Sequence, residues 1–188
     1  NDRVSREFLI NGSHDASEET FFENIYKVQP GEVLKYNFYD NTFTSDFWVK
    51  INEKTKSFDS FESAKKNVKE KFMDNMKLHL RSDVDVSSSL SGGIDSSSIV
   101  SMMKYINRDK KFNTFSYISE GKKSEERWID SVNESINAIS NKIFVSEQNI
   151  LKEIEKIIEI QEEPFGSTSI YAQYKVFEEA SKKNVKVL

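Results

Sequence analysis

Residues 90–98 read LSGGIDSSS, and this stretch decides the fold class of the chain. Residues 84–90 before it are strand-like, and the pattern of residues 95–106 behind it predicts a helix. The two adjacent glycines permit a tight turn whose backbone can approach a ligand closely. The free N–H groups and the dipole of a first helical turn attract anions. The stretch therefore predicts a strand, an anion-binding turn and a helix.

The turn contains hydroxyls and a carboxylate but no lysine, so it is not the GxxxxGK[ST] loop that clamps a transferred γ-phosphate. The hydroxyls of Ser91, Ser96 and Ser97 can donate to phosphate oxygens, and Asp95 can help hold Mg²⁺ beside a leaving pyrophosphate. This chemistry suits adenylyl transfer from ATP. A purely structural alternative makes Gly92 and Gly93 a tight βα turn and Asp95 an N-cap. The length of the motif at a strand–helix junction favours the nucleotide site.

Outward from the turn, strands and helices alternate. Strands are predicted at residues 112–118, 142–145 and 185–188, and helices from residue 59 onward carry apolar residues at steps of three or four. The helix that begins after residues 124–126 is predicted to place Ile129, Val132, Ile136 and Ile139 on one face. Asp59 is predicted to be the N-cap of the helix that begins at residue 59. This alternation predicts an α/β fold, a parallel sheet with helices on both faces, with ligands at the carboxyl ends of its strands.

The first part of the chain follows a different pattern. Aromatic-rich runs between residues 20 and 50 are separated by the turn signals QPGE at 29–32 and DN at 40–41, which predicts a small antiparallel β segment. Residues 50–57 are polar and are interpreted as a linker. We therefore predict one domain over residues 1–57 and another over residues 58–188.

Composition excludes several classes of function. The net charge of −4 gives no basic face for nucleic acid or an anionic membrane. The chain has no cysteine, so it has no disulfide and no thiol nucleophile. No stretch approaches the roughly 18 consecutive apolar residues of a membrane helix, and a cytoplasmic protein is the default expectation.

Residues 91–97 match the SGGxDSS loop of the ATP pyrophosphatase (PP-loop, N-type) superfamily. With RSDV at 81–84 and SSIV at 97–100, the chain resembles the synthetase domain of glutamine-hydrolysing asparagine synthetases. Residues 20–31 are similar to the closing strands of that family's glutaminase domain, and EPFGSTSI at 163–170 is similar to the loop before its second ATP loop. The resemblance covers nearly the whole chain. It implies a PP-loop (adenine nucleotide α-hydrolase-like) fold preceded by the end of a glutaminase domain.

The resemblance also implies roles for single residues. Leu90 and residues 91–93 would contact adenosine and phosphates, while Asp95 and Ser96 would serve the pyrophosphate and the metal. The backbone contact to adenine would fall at Tyr117. Two further carboxylates would lie at the substrate site, Glu125 (with Glu126 as the alternative) and Glu163. Each has a structural alternative that stays open: Glu125 as a charge at a helix N-terminus, and Glu163 as a capping group in its loop.

The function implied is an ATP- and Mg²⁺-dependent ligase that takes aspartate, glutamine and ATP, with neither nucleic acid nor membrane as partner. A homodimer is left open. The chain departs from the family pattern because it lacks the N-terminal cysteine of the glutaminase and the second ATP loop, so we expect a fragment. Rival functions are a relative with another acceptor (a sugar, peptide or lactam precursor), a tRNA-thiolating or NAD-synthesising PP-loop enzyme, and a non-catalytic nucleotide-binding module.

Overall fold

The computed structural model describes residues 1–13, 15, 17–48, 60–118 and 125–188. The chain forms two compact units, Asn1–Ser57 and Phe58–Leu188. The linker predicted at 50–57 lies outside the described residues. Within the described residues, no helix has the length and apolar character needed to span a membrane.

The first unit contains the predicted antiparallel β segment. Helix α1 (Asp2–Asn11) is capped by the side chain of Asn1. Strands β1 (Glu32–Asn37) and β2 (Thr42–Phe47) pair antiparallel. The turn before β1 has the predicted geometry, because Gly31 has φ 80° and the Glu32 N–H donates to the Gln29 carbonyl at 2.9 Å. In the described part of the aromatic-rich run at residues 20–28, Tyr26 forms an isolated antiparallel bridge with Glu19, so the regular pairing of the predicted β segment lies in β1 and β2.

The second unit is a three-stranded parallel sheet with five helices among its described residues, and its strand order is β3-β4-β5. Its elements are α2 (Phe61–His79), β3 (Ser88–Ser89), α3 (Ile94–Ile106), β4 (Asn113–Ile118), α4 (Glu126–Ile136), β5 (Ile139–Phe144), α5 (Glu147–Gln161) and α6 (Ser169–Lys182).

The sheet buries both of its faces. Along β4, Thr114 and Ile118 face the side of α4, where the Thr114 hydroxyl donates to the Asn133 side chain at 2.7 Å. Phe115 and Tyr117 face the opposite side, in a cluster with α5 and α6. Because successive side chains of a strand point to opposite faces of the sheet, one apolar cluster lies under α2, α3 and α4 and a second lies under α5 and α6. The predicted fold class, a parallel sheet covered by helices on both faces, is confirmed.

Four local predictions for the second unit are wrong. Of the strand predicted at 84–90, Ser88–Ser89 forms a regular strand, and Val86 forms an isolated parallel bridge with Val187. Among the described residues, this bridge is also the only strand pairing of the segment predicted as a strand at 185–188. Helix α4 ends at Asn137 in the left-handed conformation, which sends Ile139 into β5 instead of the helix face. The N-cap of α2 is Ser60, whose side chain accepts from the Ser63 N–H at 3.1 Å, instead of Asp59.

Candidate nucleotide site

The turn after β3 connects the sheet directly to α3. Leu90 is 1% exposed and its N–H donates to the Phe115 carbonyl at 2.9 Å, which fixes the start of the turn to β4. Gly93, with φ −70° and ψ 163°, is the N-cap of α3, and no side chain caps this helix. Asp95 therefore lies inside the first turn, and the alternative in which it is the N-cap is wrong. The first N–H groups of α3 remain available to an anion.

Gly92 is the position in the turn that requires glycine. Its φ is 81°, a left-handed conformation that disfavours side chains. A Cβ at this position would lie 3.1 Å from the Trp128 Cβ, 3.2 Å from the Ile129 Cγ1 and 3.3 Å from the Glu125 carbonyl oxygen. The first turn of α4 thus packs against the backbone of the SGG turn and holds it in place.

Serine hydroxyls stabilise the turn from within. The Oγ atoms of Ser91 and Ser96 lie 3.1 Å apart, and the Ser91 N–H donates to the Ser96 Oγ at 3.2 Å. The Ser96 hydroxyl donates to the Gly93 carbonyl at 3.2 Å. The Ser97 N–H donates to the same carbonyl at 3.0 Å, which is the first bond of the helix ladder. The predicted residues of the turn are therefore held together by their own hydrogen bonds.

A cavity of about 510 Å³ lies beside the turn, between β4 and α6. Four of the predicted site residues line it, namely Leu90, Ser91, Tyr117 and Glu125. Helix α6 supplies a wall that the sequence reasoning did not single out, formed by Ser169, Ala172, Gln173, Val176 and Phe177. The spacing of these positions, i, i+3, i+4, i+7 and i+8, is one helix face. This spacing is visible in the sequence and could have indicated a cavity-lining face, but a helix that packs against an ordinary core has the same spacing.

A second cavity, of about 850 Å³, lies on the other side of the turn and touches α2 and α3. Asp95, Ser96 and Ser91 line it together with residues 87–89. Ser89 and Ser91 border both cavities, so the SGG turn separates them. The small side chains of residues 87–89 leave space beside the strand instead of filling it.

The two adjacent carboxylates at the start of α4 have different surroundings. Glu126 forms an ion pair with Lys142 at 2.8 Å, and Asp130 pairs with the same ammonium at 2.7 Å. Hydrogen bonds to Asp130 and Glu126 raise the pKa of Lys142. Glu125 instead borders the 510 Å³ cavity, and the described part of the chain gives its side chain no hydrogen bond or ion pair. Of the two, Glu125 is the one that lies at the cavity.

Glu163 is not brought to the turn. It borders a separate cavity of about 580 Å³ with Ile154, Ile158 and Phe165, between the end of α5 and the following loop. Glu162, with φ 56°, is the C-cap of α5 and directs the chain into this loop.

A polar cluster anchors α6, the wall of the 510 Å³ cavity. The Lys175 ammonium lies 2.6 Å from Glu178 and 3.3 Å from Glu153, and the Tyr171 hydroxyl donates to Glu153 at 2.9 Å. The hydrogen bond from Lys175 lowers the pKa of Glu178 to about 2, and burial together with Glu153 raises the pKa of Tyr171 to about 12. Burial disfavours the charged form of Lys175, but its two carboxylate partners outweigh this and raise its pKa. The cluster ties α6 to α5.

The donor set does not form a metal cage from protein alone. Among the described residues, no group of three or more His, Cys, Asp or Glu side chains could hold a metal ion. Asp95 is a single carboxylate at the anion-binding turn. That fits Mg²⁺ delivered with a nucleotide, because Mg²⁺ commonly binds one or two carboxylates plus phosphate oxygens.

The family model for asparagine synthase matches residues 67–188, which contain the whole sheet and both cavities beside the turn. The chain belongs to this family. Over 167 residues it is 32% identical to asparagine synthetase [glutamine-hydrolyzing] 1 of Bacillus subtilis, covering 87% of this chain and 25% of that protein.

The chain is also similar to two further proteins. A Methanocaldococcus jannaschii protein, provisionally named a glutamine-hydrolysing asparagine synthetase, is 28% identical over 166 residues, covering 88% of this chain and 32% of that protein. The chain thus spans a third or less of these curated relatives. Among solved structures, an NH3-dependent NAD synthetase from Campylobacter jejuni is similar, with a TM-score of 0.45, 19% identity, and coverage of 65% of this chain and 54% of that one.

Proposed function

We propose that residues 58–188 form the ATP-binding part of an amide-forming ligase that adenylates the side-chain carboxylate of aspartate. The observation that carries this proposal is the SGG turn in a chain of the asparagine synthase family: Leu90 and Ser91 border the 510 Å³ cavity, and the uncapped first turn of α3 borders the 850 Å³ cavity. In the proposed reaction, a carboxylate oxygen attacks the α-phosphorus of ATP and the bond to pyrophosphate breaks. Ammonia then attacks the acyl carbon, AMP leaves with the C–O bonding electrons, and a proton is lost to solvent.

The turn supplies stabilisation of the phosphates. The proposed donors toward phosphate oxygens are the N–H groups at the start of α3 and the hydroxyls of Ser91, Ser96 and Ser97, with the Ser96 hydroxyl exchanging its bond to the Gly93 carbonyl for one to phosphate. Asp95 is the proposed ligand of Mg²⁺ that accompanies the nucleotide. When bound, Mg²⁺ neutralises negative charge on the departing pyrophosphate.

The 510 Å³ cavity is the proposed place for the nucleoside. Leu90 and Phe115 provide apolar contact, and Tyr117 lies at the end of β4 where a base can meet backbone groups. Glu125 borders the same cavity and is the proposed carboxylate for the substrate or its metal. Glu163 is not included in this assignment, since it lies at a different cavity.

We further propose that the first unit, with its β1–β2 hairpin, is the end of a glutaminase domain that supplies ammonia. The support for this proposal is that the curated relatives are named as glutamine-hydrolysing enzymes and their matches extend over 87% and 88% of the chain. The chain itself contains no cysteine, so the thiolate that such a domain uses is not among its residues.

The test uses the full-length protein with Mg·ATP, glutamine and aspartate, and measures AMP, pyrophosphate, ADP and phosphate. Equal amounts of AMP and pyrophosphate, dependent on aspartate, are expected. ADP and phosphate as the main products would refute the proposed chemistry. If AMP and pyrophosphate form with other carboxylates but not with aspartate, the proposed adenylation stands, but aspartate is not the acceptor.

A further inference from the structure

Lys142 on β5 binds the start of α4 through two ion pairs. Its ammonium lies 2.8 Å from the Glu126 carboxylate and 2.7 Å from the Asp130 carboxylate. The Lys142 side chain is 23% exposed, so solvent screens these pairs less than it screens a fully exposed pair. In the sheet, Lys142 is in register with Ser116 of β4. The two ion pairs therefore connect the start of α4 to the parallel sheet.

The ammonium of Lys142 lies between two carboxylates of like charge. Glu126 and Asp130 are four residues apart on α4, a spacing at which like charges are neighbours and destabilise a helix. Hydrogen bonds to Asp130 and Glu126 raise the pKa of Lys142 and hold the ammonium in its charged form. Loss of this charge would remove the attraction that holds the start of α4 on β5.

The same start of α4 contacts the SGG turn and carries Glu125. A Cβ on Gly92 would lie 3.1 Å from the Trp128 Cβ and 3.3 Å from the Glu125 carbonyl oxygen, so the two segments are in close contact. Glu125 is the N-cap of α4, and its carbonyl accepts from the Trp128 N–H at 2.9 Å and the Ile129 N–H at 3.2 Å. Glu125 also borders the 510 Å³ cavity. A shift of this helix start would therefore move Glu125 and the support of the turn together.

We propose that Lys142 is a positioning residue of the adenylation site, which holds Glu125 at the cavity by fixing the start of α4 on β5. Lys142 is not among the described residues that line either cavity beside the turn, so it acts through α4 and not by contact with a ligand. The inference rests on the proposed function, because it takes Glu125 to be the carboxylate for the substrate or its metal.

The test is a double-mutant cycle in the full-length protein, and its readout is kcat/KM for pyrophosphate release with ATP, aspartate and glutamine. Lys142→Met keeps an unbranched side chain but removes the ammonium. We expect it to lower kcat/KM on the order of tenfold, a usual effect of removing a group that orients a functional side chain. The loss should be clearly smaller when Glu125→Gln is already present, because the carboxylate to be positioned is then absent. Lys142→Arg should recover most of the rate, since a guanidinium can bond both carboxylates.

The matched control is Lys110→Met, which removes an ion pair with Asp85 at 2.6 Å from a position that is not among the residues lining either cavity. An equal loss in Lys110→Met, or a loss from Lys142→Met that is the same with and without Glu125→Gln, would overturn the inference. No recovery in Lys142→Arg would also overturn it, as would a full rate in Glu125→Gln alone, because there would then be no carboxylate to position.

Far-UV circular dichroism shows whether Lys142→Met folds. If it does not, Asp130→Asn replaces it in the cycle, because this change removes one of the two ion pairs. It should show a smaller loss with the same dependence on Glu125, and a loss independent of Glu125 would again overturn the inference. Failure of the wild type to release pyrophosphate would instead refute the proposed function.

Discussion

Replacing Gly92 by alanine tests whether the SGG turn is fixed by backbone conformation and by α4. The substitution places a Cβ on a residue with φ 81°, and that atom would meet the Trp128 Cβ at 3.1 Å and the Ile129 Cγ1 at 3.2 Å. It would also lie 3.3 Å from the Glu125 carbonyl oxygen, which accepts from the Trp128 N–H at 2.9 Å. Relief therefore requires the first turn of α4 to move away.

Two costs combine at this position. The left-handed conformation costs an L-residue about 1–2 kcal/mol, and overpacking of a close contact typically costs about 1–3 kcal/mol. We therefore expect Gly92→Ala to lower the free energy of unfolding by about 2–5 kcal/mol. Gly93→Ala is the matched control, because Gly93 has φ −70° and its added Cβ would meet only the Ser91 Oγ, at 3.4 Å. An alanine at this N-cap costs about 1 kcal/mol or less.

Urea unfolding followed by the fluorescence of Trp128 measures both variants, in a Trp48→Phe background that leaves Trp128 as the remaining tryptophan. In the full-length protein, Gly92→Ala should also weaken ATP binding by at least tenfold, because the displaced turn carries the phosphate donors. Equal stability losses in the two variants would show that neither the φ of Gly92 nor its contact with α4 matters, and the reasoning would be refuted.

Three further predictions concern charge and chemistry. Asp95→Asn in the full-length enzyme should slow pyrophosphate release by roughly 10²-fold, while calorimetric melting shows little change, since Asp95 does not cap α3; an intact rate would contradict its metal role. The purified 188-residue chain should release no ammonia from glutamine above a buffer control, because it has no thiolate. Lys175 holds the pKa of Glu178 at about 2, below its ordinary 4.5, so this pair stabilises the fold above about pH 4.5 and loses its effect as the pH falls toward 2. Urea titrations should therefore show Glu178→Gln less stable than the wild type by about 1–2 kcal/mol at pH 7, converging near pH 2; a constant difference would contradict the ion-pair account.

The sequence predicted the sheet and the turn because both depend on local patterns. Strand β4 alternates between two buried faces, and the glycine pair coincides with a backbone that only glycine adopts easily at position 92. The turn 29–32 was predictable for the same reason, since Pro30 and Gly31 fix its dihedral angles. A structural feature can be predicted from the sequence when neighbouring residues alone determine its backbone conformation.

Long-range placement was less predictable. Glu163 is a substrate-site carboxylate in the resemblance, and that role stays a prediction; the structure places it at the 580 Å³ cavity, directly after the left-handed C-cap Glu162 of α5. Strand β3 is shorter than the predicted range of residues 84–90, since the extent of a strand depends on the neighbours it pairs with as well as on its own residues. Helix α6 was predicted as a helix, but its spacing cannot distinguish a face that fills a core from one that lines a cavity.

The position of Asp95 shows how a one-residue difference changes a functional argument. The sequence allowed this side chain either to cap α3 or to face a ligand, and an N-cap role would have occupied its oxygens with backbone N–H groups. The helix begins at Ile94 with Gly93 as its cap, so the carboxylate has no capping role and borders the 850 Å³ cavity. In the proposed function, the same N-terminus binds phosphate through its backbone N–H groups and a cation through Asp95, which is the combination that Mg·ATP requires.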